Sequence, residues 1–179
     1  MFEKELEFIM DLFATRRSIR KYTSQEVEGQ MVETLLKAAF FAPTARNLKP
    51  WHFLVIDDRQ ILTELAEEFP TMSMLAGAPL AIVVCGDSEI SEDFWPDDCA
   101  AATQNILLCA TQNGLGSCWC AVYPRVERME GFVEKFQMPE QIKPYSLIAL
   151  GYPDETKQTP ERYDPARVHY NGFKPAAEQ

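Results

Sequence analysis

The sequence predicts one α+β domain, and three observations support this prediction: the chain length, segments of helical periodicity, and short apolar runs of strand type. The chain has 179 residues, which is the size of one domain with a substantial core. Apolar residues recur at helical spacing in several segments, and shorter apolar, β-branched runs are typical of strands. No internal repeat or interdomain linker is visible, so we expect residues 1–179 to form a single domain.

Five segments have the periodicity of helices. Pro43 cannot continue the second of them, and Asp57 or Asp58 can cap the third. The fourth is apolar on most sides, so it is expected to be buried, either centrally or against a partner subunit. The five segments cover residues 3–15, about 27–41, 57–69, 97–113 and 126–136.

Four short apolar runs are predicted to be strands, at residues 51–56, 79–86, 118–123 and 145–153. The second run is continuously apolar and β-branched, which is typical of a buried strand. Residues 154–179 differ in kind, because proline and polar turn residues replace the periodicity. We expect this segment to form an extended C-terminal arm.

The charge, the apolar stretches and the cysteines of the chain exclude several classes of function. Asp and Glu outnumber Lys and Arg by 27 to 17, which gives a formal net charge of −10 and disfavours nucleic-acid binding. The first residues do not resemble a signal peptide, and the longest apolar stretch, residues 72–86, is too short to span a bilayer. Five cysteines without a repeating spacing fit reduced thiols. We therefore expect a cytoplasmic protein with no nucleic-acid or membrane partner.

Metal and nucleophile motifs are missing from the sequence. The chain has two histidines and neither a Cys-x-x-Cys, a His-Glu-x-x-His, a P-loop nor a Gly-x-Ser-x-Gly motif. Cys118 and Cys120 would share one face of a strand, but a two-thiol site lacks further ligands. We expect neither thiol to be a nucleophile, because neither has a neighbouring histidine or cation to make it a thiolate. We predict no metal and no catalytic side chain, and expect a cofactor to supply the chemistry.

The densest positive charge lies in the sequence RRSIRKY, residues 16–22. Such a run is either a solvated turn or a site for an anion. Planar guanidinium groups form bidentate hydrogen bonds with phosphate, and Ser18 adds a hydroxyl donor. Four of the 17 cationic side chains lie here: Arg16, Arg17, Arg20 and Lys21.

Two further motifs have polar or aromatic residues at loops and strand starts. In PTARNLKPW, Pro43 stops a helix, and Thr44 and Asn47 offer short polar groups; the alternative is an ordinary turn. In NGLGSCWCAVYP, a helix cap precedes a strand with Trp119, whose alternative role is that of a core tryptophan.

These three motifs, in this order, resemble the FMN-dependent nitroreductase family in its short single-domain form. The resemblance extends from about residue 15 to residue 170. It implies an α+β fold with a central mixed sheet flanked by helices, in a domain-swapped homodimer. It also implies FMN in clefts at the subunit interface, with NADH or NADPH as co-substrate.

The resemblance also implies which residues bind the flavin. The basic run would meet the phosphate, the ribityl chain or the pyrimidine edge, and the PTARNLKPW segment would reach the flavin of the other subunit. A late basic residue would close on the phosphate, with Lys157 as the alternative. One departure is Lys49, which stands where the family usually has glutamine. The implied cofactor-binding residues are Arg16, Arg17, Ser18, Arg20, Pro43, Thr44, Asn47, Trp119, Cys120, Ala121 and Arg162.

The expected activity is electron transfer from NAD(P)H to a nitroaromatic, a quinone or a similar small planar acceptor, by a ping-pong mechanism. The acceptor pocket is expected at residues 72–75 and around Phe94 and Trp95. Two alternatives stay open: a flavin-dependent dehydrogenase or dehalogenating reductase, and a non-catalytic FMN-binding redox protein. The sequence leaves open the physiological acceptor and the preference between NADH and NADPH.

Overall fold

The computed structural model describes residues 11–173, in which four helices flank a four-stranded sheet. Residues 11–15 are helical, and the rest of the helix predicted at 3–15 lies outside the described residues. The helices are α1 (Gly29–Phe40), α2 (Arg59–Glu68), α3 (Trp95–Gln112) and α4 (Val126–Phe136). The strands are β1 (Trp51–Ile56), β2 (Leu80–Asp87), β3 (Gly116–Ala121) and β4 (Ile142–Gly151). These elements confirm the predicted α+β class.

The sheet has the strand order β1-β2-β4-β3, so β1 and β3 lie at opposite edges. All three strand pairings are antiparallel, and within residues 11–173 the only parallel pairing is an isolated bridge between Ser18 and Ser117. Among its four strands the sheet is therefore antiparallel rather than mixed. The bridge brings the basic run of residues 16–22, called the basic segment below, alongside β3.

The two central strands are buried on both faces, which explains the apolar runs in β2 and in the second half of β4. Every residue of β2 is buried. Because side chains alternate along a strand, Val83 and Leu147 face one side and Ile82 and Ile148 face the other. Helices α2 and α4 cover the first face, and α1 and α3 cover the second. The sheet thus separates two apolar cores.

Helix α3 packs against the sheet, and α1 packs against α3. From Asp98 to Ala110 no residue of α3 is exposed, as its apolar sequence predicted. The Asn105 side chain donates a hydrogen bond to the Ala38 carbonyl of α1 at 3.0 Å. The helix ends before Gly114, whose φ of 75° lies in the left-handed region that favours glycine.

Residues 154–173 run over the surface and contain a single 3-10 turn, Pro165–Arg167. The start of this arm is tied to the basic segment, because the Asp154 N–H donates to the Lys21 carbonyl at 2.9 Å. Three aromatic side chains of the arm are largely exposed: Tyr163, Tyr170 and Phe173. Within the described residues, no helix has both the length and the apolar character needed to cross a membrane.

The close approach of the basic segment to β3 requires Gly116. A Cβ atom at this position would lie 2.7 Å from Cγ2 and 2.9 Å from Cβ of Ile19. Because Ile19 is β-branched and buried, it cannot rotate away from the contact.

We therefore expect Gly116→Ala to lower the free energy of unfolding by about 1–3 kcal/mol, as overpacking of a core does. Gly29→Ala is the matched control, since a Cβ atom there meets nothing within 4 Å and the residue begins α1. Urea denaturation of both variants measures the difference. Equal stabilities would show that the segment carrying Ile19 is free to move away from β3.

Candidate functional site

The basic segment is held against β3 and β4 by its two apolar residues. Ile19 and Tyr22 are buried, and the Ile19 N–H donates to the Ser117 carbonyl at 2.9 Å. The Tyr22 hydroxyl donates to the Ile19 carbonyl at 2.5 Å. With these two residues fixed inward, Arg20 and Lys21 are exposed. The segment therefore presents its charges along one edge of the sheet.

The C-terminal arm returns to this segment and brings Arg162 close to Arg16. Partial burial, followed by the like charges of Arg162 and Arg17, lowers the pKa of Arg16. The Arg17 guanidinium donates a hydrogen bond to the backbone carbonyl of Gln158 in the arm. None of the four ion pairs formed among residues 11–173 involves these three arginines. Three unneutralised guanidinium groups converge here in a chain whose net charge is −10.

Lys157, the alternative to Arg162, lies near the same cluster but is neutralised. Its Nζ atom pairs with Oε2 of Glu155 at 3.1 Å. The other carboxylate oxygen of Glu155 accepts from the Arg20 N–H at 2.6 Å. Lys157 and Arg17 line a cavity of about 330 Å³ beside the start of the arm. Among the cationic side chains in residues 154–173 of the arm, Lys157 and Arg167 form ion pairs, and Arg162 forms none.

A second cavity, of about 210 Å³, lies beside the end of β3. Its lining combines four predicted residues, Arg20, Trp119, Cys120 and Ala121, with Thr71, Met74, Cys118, Arg125 and Arg128. Sequence reasoning missed Arg125 and Arg128, because one turn of α4 brings them here only through tertiary packing. Three arginines line the cavity, and no acidic residue is among its lining. The cavity is therefore positively charged.

Arg128 links two separate segments of the wall of this cavity by hydrogen bonds. Its guanidinium donates to the Ala121 carbonyl at 2.6 Å and to the Thr71 hydroxyl at 2.6 Å. These two residues are fifty positions apart in the chain, on the end of β3 and on the turn Pro70–Ala76. Of the acceptor pocket predicted at residues 72–75, Met74 reaches the cavity, while Met72 and Leu75 are fully buried in the core.

The second half of the predicted acceptor pocket lies elsewhere. Trp95 is buried at the start of α3 and packs against Tyr123, with ring centroids 5.0 Å apart. Phe94 is partly exposed beside it. The side chain of Trp119 also belongs to the α3 side of the sheet, where it packs against Tyr145 at 5.9 Å. Because the apolar face of α3 draws Trp95 inward, neither residue lines the cavity beside β3 within one chain, and an acceptor pocket at Phe94 and Trp95 stays a prediction.

The two thiols of β3 lie on the opposite face from Trp119. The Cys120 thiol is 3.7 Å from the Met74 sulfur, and Cys118 is 2% exposed. The interaction with the Cys120 thiol, followed by the positive charges of Arg20 and Lys157, lowers the pKa of Cys118, while burial opposes this effect. The sequence prediction that no cation lies near this thiol was therefore wrong. Both cations are distant in sequence and arrive through the basic segment and the arm.

The PTARNLKPW loop lies at the other edge of the sheet, before β1. Pro43 follows α1, and residues 45–47 form a 3-10 turn. The Thr44 hydroxyl accepts from the Lys49 N–H at 3.2 Å. Three strand spacings separate β1 from β3, which is roughly 14 Å. Within one chain, the structure therefore does not bring Thr44 and Asn47 to the arginines and the β3 residues.

The Ala45–Asn47 turn has an unusual backbone and a buried support. Arg46, Asn47 and Lys49 all have positive φ, at 53°, 58° and 55°. The Ala45 N–H donates to the carboxylate of Asp98 at 2.8 Å, and Asp98 is 4% exposed. Sequence reasoning missed Asp98, because an acidic residue in the first turn of a helix is common and carries no specific signal.

Comparisons with known proteins show which family the chain resembles. A family model described as the nitroreductase family matches residues 13–70 and 67–152. A protein of Archaeoglobus fulgidus, provisionally named NADH dehydrogenase/NAD(P)H nitroreductase, is 44% identical over 170 residues, which are 92% of this chain and 98% of the relative.

Two solved structures have the same fold at substantial identity. A protein of Parabacteroides distasonis, with the same provisional name, has a TM-score of 0.89 and 38% identity, covering 92% of this chain and 98% of that one. An FMN-dependent nitroreductase of Clostridium difficile has a TM-score of 0.86 and 35% identity, covering 92% of this chain and 99% of that one. The chain therefore belongs to the nitroreductase family of oxidoreductases.

Proposed function

We propose that this protein is an FMN-dependent oxidoreductase that passes electrons from NADH or NADPH to a small planar acceptor such as a nitroaromatic or a quinone. The observation that carries this proposal is the convergence of Arg16, Arg17 and Arg162 in an acidic chain. Like charges repel one another, so such a cluster is favourable only when an anion offsets it. A flavin mononucleotide ends in a phosphate dianion of suitable charge.

The residues of the cluster fit a phosphate in kind as well as in charge. Guanidinium groups give charge-assisted, bidentate hydrogen bonds to phosphate oxygens, and the Ser18 hydroxyl lies between two of the arginines in sequence. Arg17 is committed to the Gln158 carbonyl, so its role is to hold the arm in place. Arg16 and Arg162 are then the residues that bind the phosphate.

The cavity beside β3 fits part of a flavin ring system. Its wall is formed by the backbone of β3 at Trp119, Cys120 and Ala121, and Arg20 and Arg128 supply positive charge. When bound, FMN supplies the hydride chemistry of the reaction. The cationic wall stabilises the negative charge that two-electron reduction leaves on the ring. Since none of the described lining residues is a carboxylate or a histidine, we assign no acid or base.

The site is complete only if two chains associate. Thr44 and Asn47 lie at the β1 edge and the arginines at the β3 edge, so the two sets meet when the β1 edge of one chain faces the β3 edge of another. Exposed apolar residues surround the loop: Phe40 is 59%, Phe41 87% and Leu48 40% exposed. We infer a homodimer in which the loop of one chain covers the flavin of its partner, with the aromatic residues of the arm exchanged between the chains.

The cysteines bear on the cellular compartment. All five are free thiols, four of them buried. Free thiols persist in a reducing compartment, so we place this activity in the cytoplasm.

The first test is the identity and affinity of the cofactor. The purified protein is expected to release FMN rather than FAD on denaturation, because the charge cluster suits one phosphate and the chain lacks a dinucleotide glycine fingerprint. Arg16→Ala and Arg162→Ala should each raise the dissociation constant of FMN about tenfold or more, as loss of a charged hydrogen bond does. Flavin fluorescence titration measures this.

Arg167→Ala is the matched control for these variants. Arg167 lies in the same arm, but it pairs with Asp164 at 3.0 Å and is exposed. Its removal should leave FMN affinity unchanged. If all three variants bind FMN as tightly as the parent protein, the cluster is a solvated surface and the proposal is wrong.

The second test concerns the dimer. Sedimentation at micromolar concentration is expected to give twice the chain mass, and Phe41→Asp should shift the protein toward monomer because it places a charge in the apolar contact. FMN binding should fall in parallel, since the site needs both chains. Ile90→Asp changes an exposed apolar residue outside residues 40–48 and should do neither. A flavin-loaded monomer would contradict the shared site.

The third test concerns the kinetic mechanism. NAD(P)H and the acceptor must each make near-contact with the ring, and a cleft closed by two chains has room for one planar ligand at a time. Steady-state rates should therefore give parallel double-reciprocal lines, with each substrate inhibiting competitively against the other at high concentration. Intersecting lines would exclude the shared position. FMN binding without oxidation of NAD(P)H would favour the non-catalytic redox protein.

A further inference from the structure

We propose that Asp98 is a positioning residue: it holds the loop of residues 44–49 in the backbone shape with which the loop meets the cofactor. This inference rests on the proposed function, because it takes that loop to be part of the FMN site. Asp98 itself lies on α3 and is buried, so it acts through the loop and not by contact with the ligand.

Asp98 accepts hydrogen bonds at both ends of the loop. Its Oδ1 atom accepts the Ala45 N–H at 2.8 Å, where the loop begins. Its backbone carbonyl accepts the indole N–H of Trp51 at 3.0 Å, where the loop passes into β1. Between the two contacts, the Pro50 carbonyl accepts the Asp87 N–H at 2.8 Å. Two of these three hydrogen bonds from neighbouring elements are therefore to Asp98.

The loop needs such support because its own backbone is strained. Arg46, Asn47 and Lys49 are in the left-handed region, with φ between 53° and 58°. Side chains other than glycine disfavour this region, and asparagine tolerates it best of the three. Residues in such conformations persist where the surrounding structure determines them, and they gather at functional sites.

The contacts within the loop do not fix its orientation. The Asn47 N–H donates to the Thr44 carbonyl and the Leu48 N–H to the Ala45 carbonyl, both at 3.1 Å. These bonds close a turn, but a turn can rotate as a unit about its ends. The Asp98 carboxylate sets the direction of the turn by fixing its first N–H group. An acidic side chain in the first turn of a helix is also favoured there by the helix dipole.

The experiment compares three variants of the full-length protein. Asp98→Ala removes the acceptor, and Asp98→Asn keeps an acceptor oxygen in nearly the same volume. Asp97→Ala is the matched control, because Asp97 lies in the same first turn of α3 but is exposed. If Asp98→Ala does not fold, Asp98→Leu removes the acceptor while filling the space.

Two readouts separate loop position from overall stability. Trypsin can cut after Arg46 only when the loop is free, and it does not cut after Lys49 because Pro50 follows. Cleavage after Arg59 reports global unfolding, since that guanidinium donates to the Ala76 carbonyl at 2.8 Å and to the carbonyl of Ala78. The second readout is the FMN dissociation constant, from flavin fluorescence.

We expect Asp98→Ala to accelerate cleavage after Arg46 relative to Arg59, and to weaken FMN binding about tenfold. Asp98→Asn should recover most of both losses, and Asp97→Ala should show neither. The inference is overturned if the cleavage ratio is the same in Asp98→Ala and in the parent protein, or if FMN affinity stays within twofold although the loop is cut. If the parent protein does not bind FMN, the proposed function fails, while the cleavage ratio still decides whether Asp98 holds the loop.

Discussion

The order of the strands is the constraint on which the site depends. With β1 and β3 at opposite edges of one sheet, the segments that precede or flank these strands cannot meet within a single chain. In the proposed function, each edge carries half of a site. The β3 edge has the basic segment, fixed by Ile19 and Tyr22, and the β1 edge has the Ala45–Asn47 loop, fixed by Asp98. Association of two chains would then be part of building the proposed site.

The cationic side chains near the site differ in whether they form ion pairs. Because the chain has a formal net charge of −10, anions are attracted only to its few basic surfaces. The arm closes the cluster by contributing Arg162, while the neighbouring cation, Lys157, is already paired with Glu155. In the proposed function, the arginines without an ion pair are the ones that the phosphate neutralises.

The sequence predicted the elements well and the contacts between distant elements poorly. The periodicity of α3 and the apolar run of β2 were sufficient, because each reflects the local environment of the element itself. The approach of Arg162 to Arg16 was anticipated through family resemblance. The contacts of Arg128 with Thr71, of Asp98 with Ala45 and of two cations with Cys118 were not predicted. These pairs are separated by 39 or more residues and leave no periodic signal, so only the packed structure shows them.

Helix α3 connects these features. It packs on α1, fills one core and carries Asp98 at its first turn, so its position determines where the loop lies. In the proposed dimer, the apolar residues at the end of α1, Phe40 and Phe41, contact the partner close to the same loop. A shift of the interface would therefore move α1 and α3 together and, through the Ala45 hydrogen bond, the loop. Because close-packed interiors transmit such displacements, the proposed dimer would couple the contact between chains mechanically to the position of the loop.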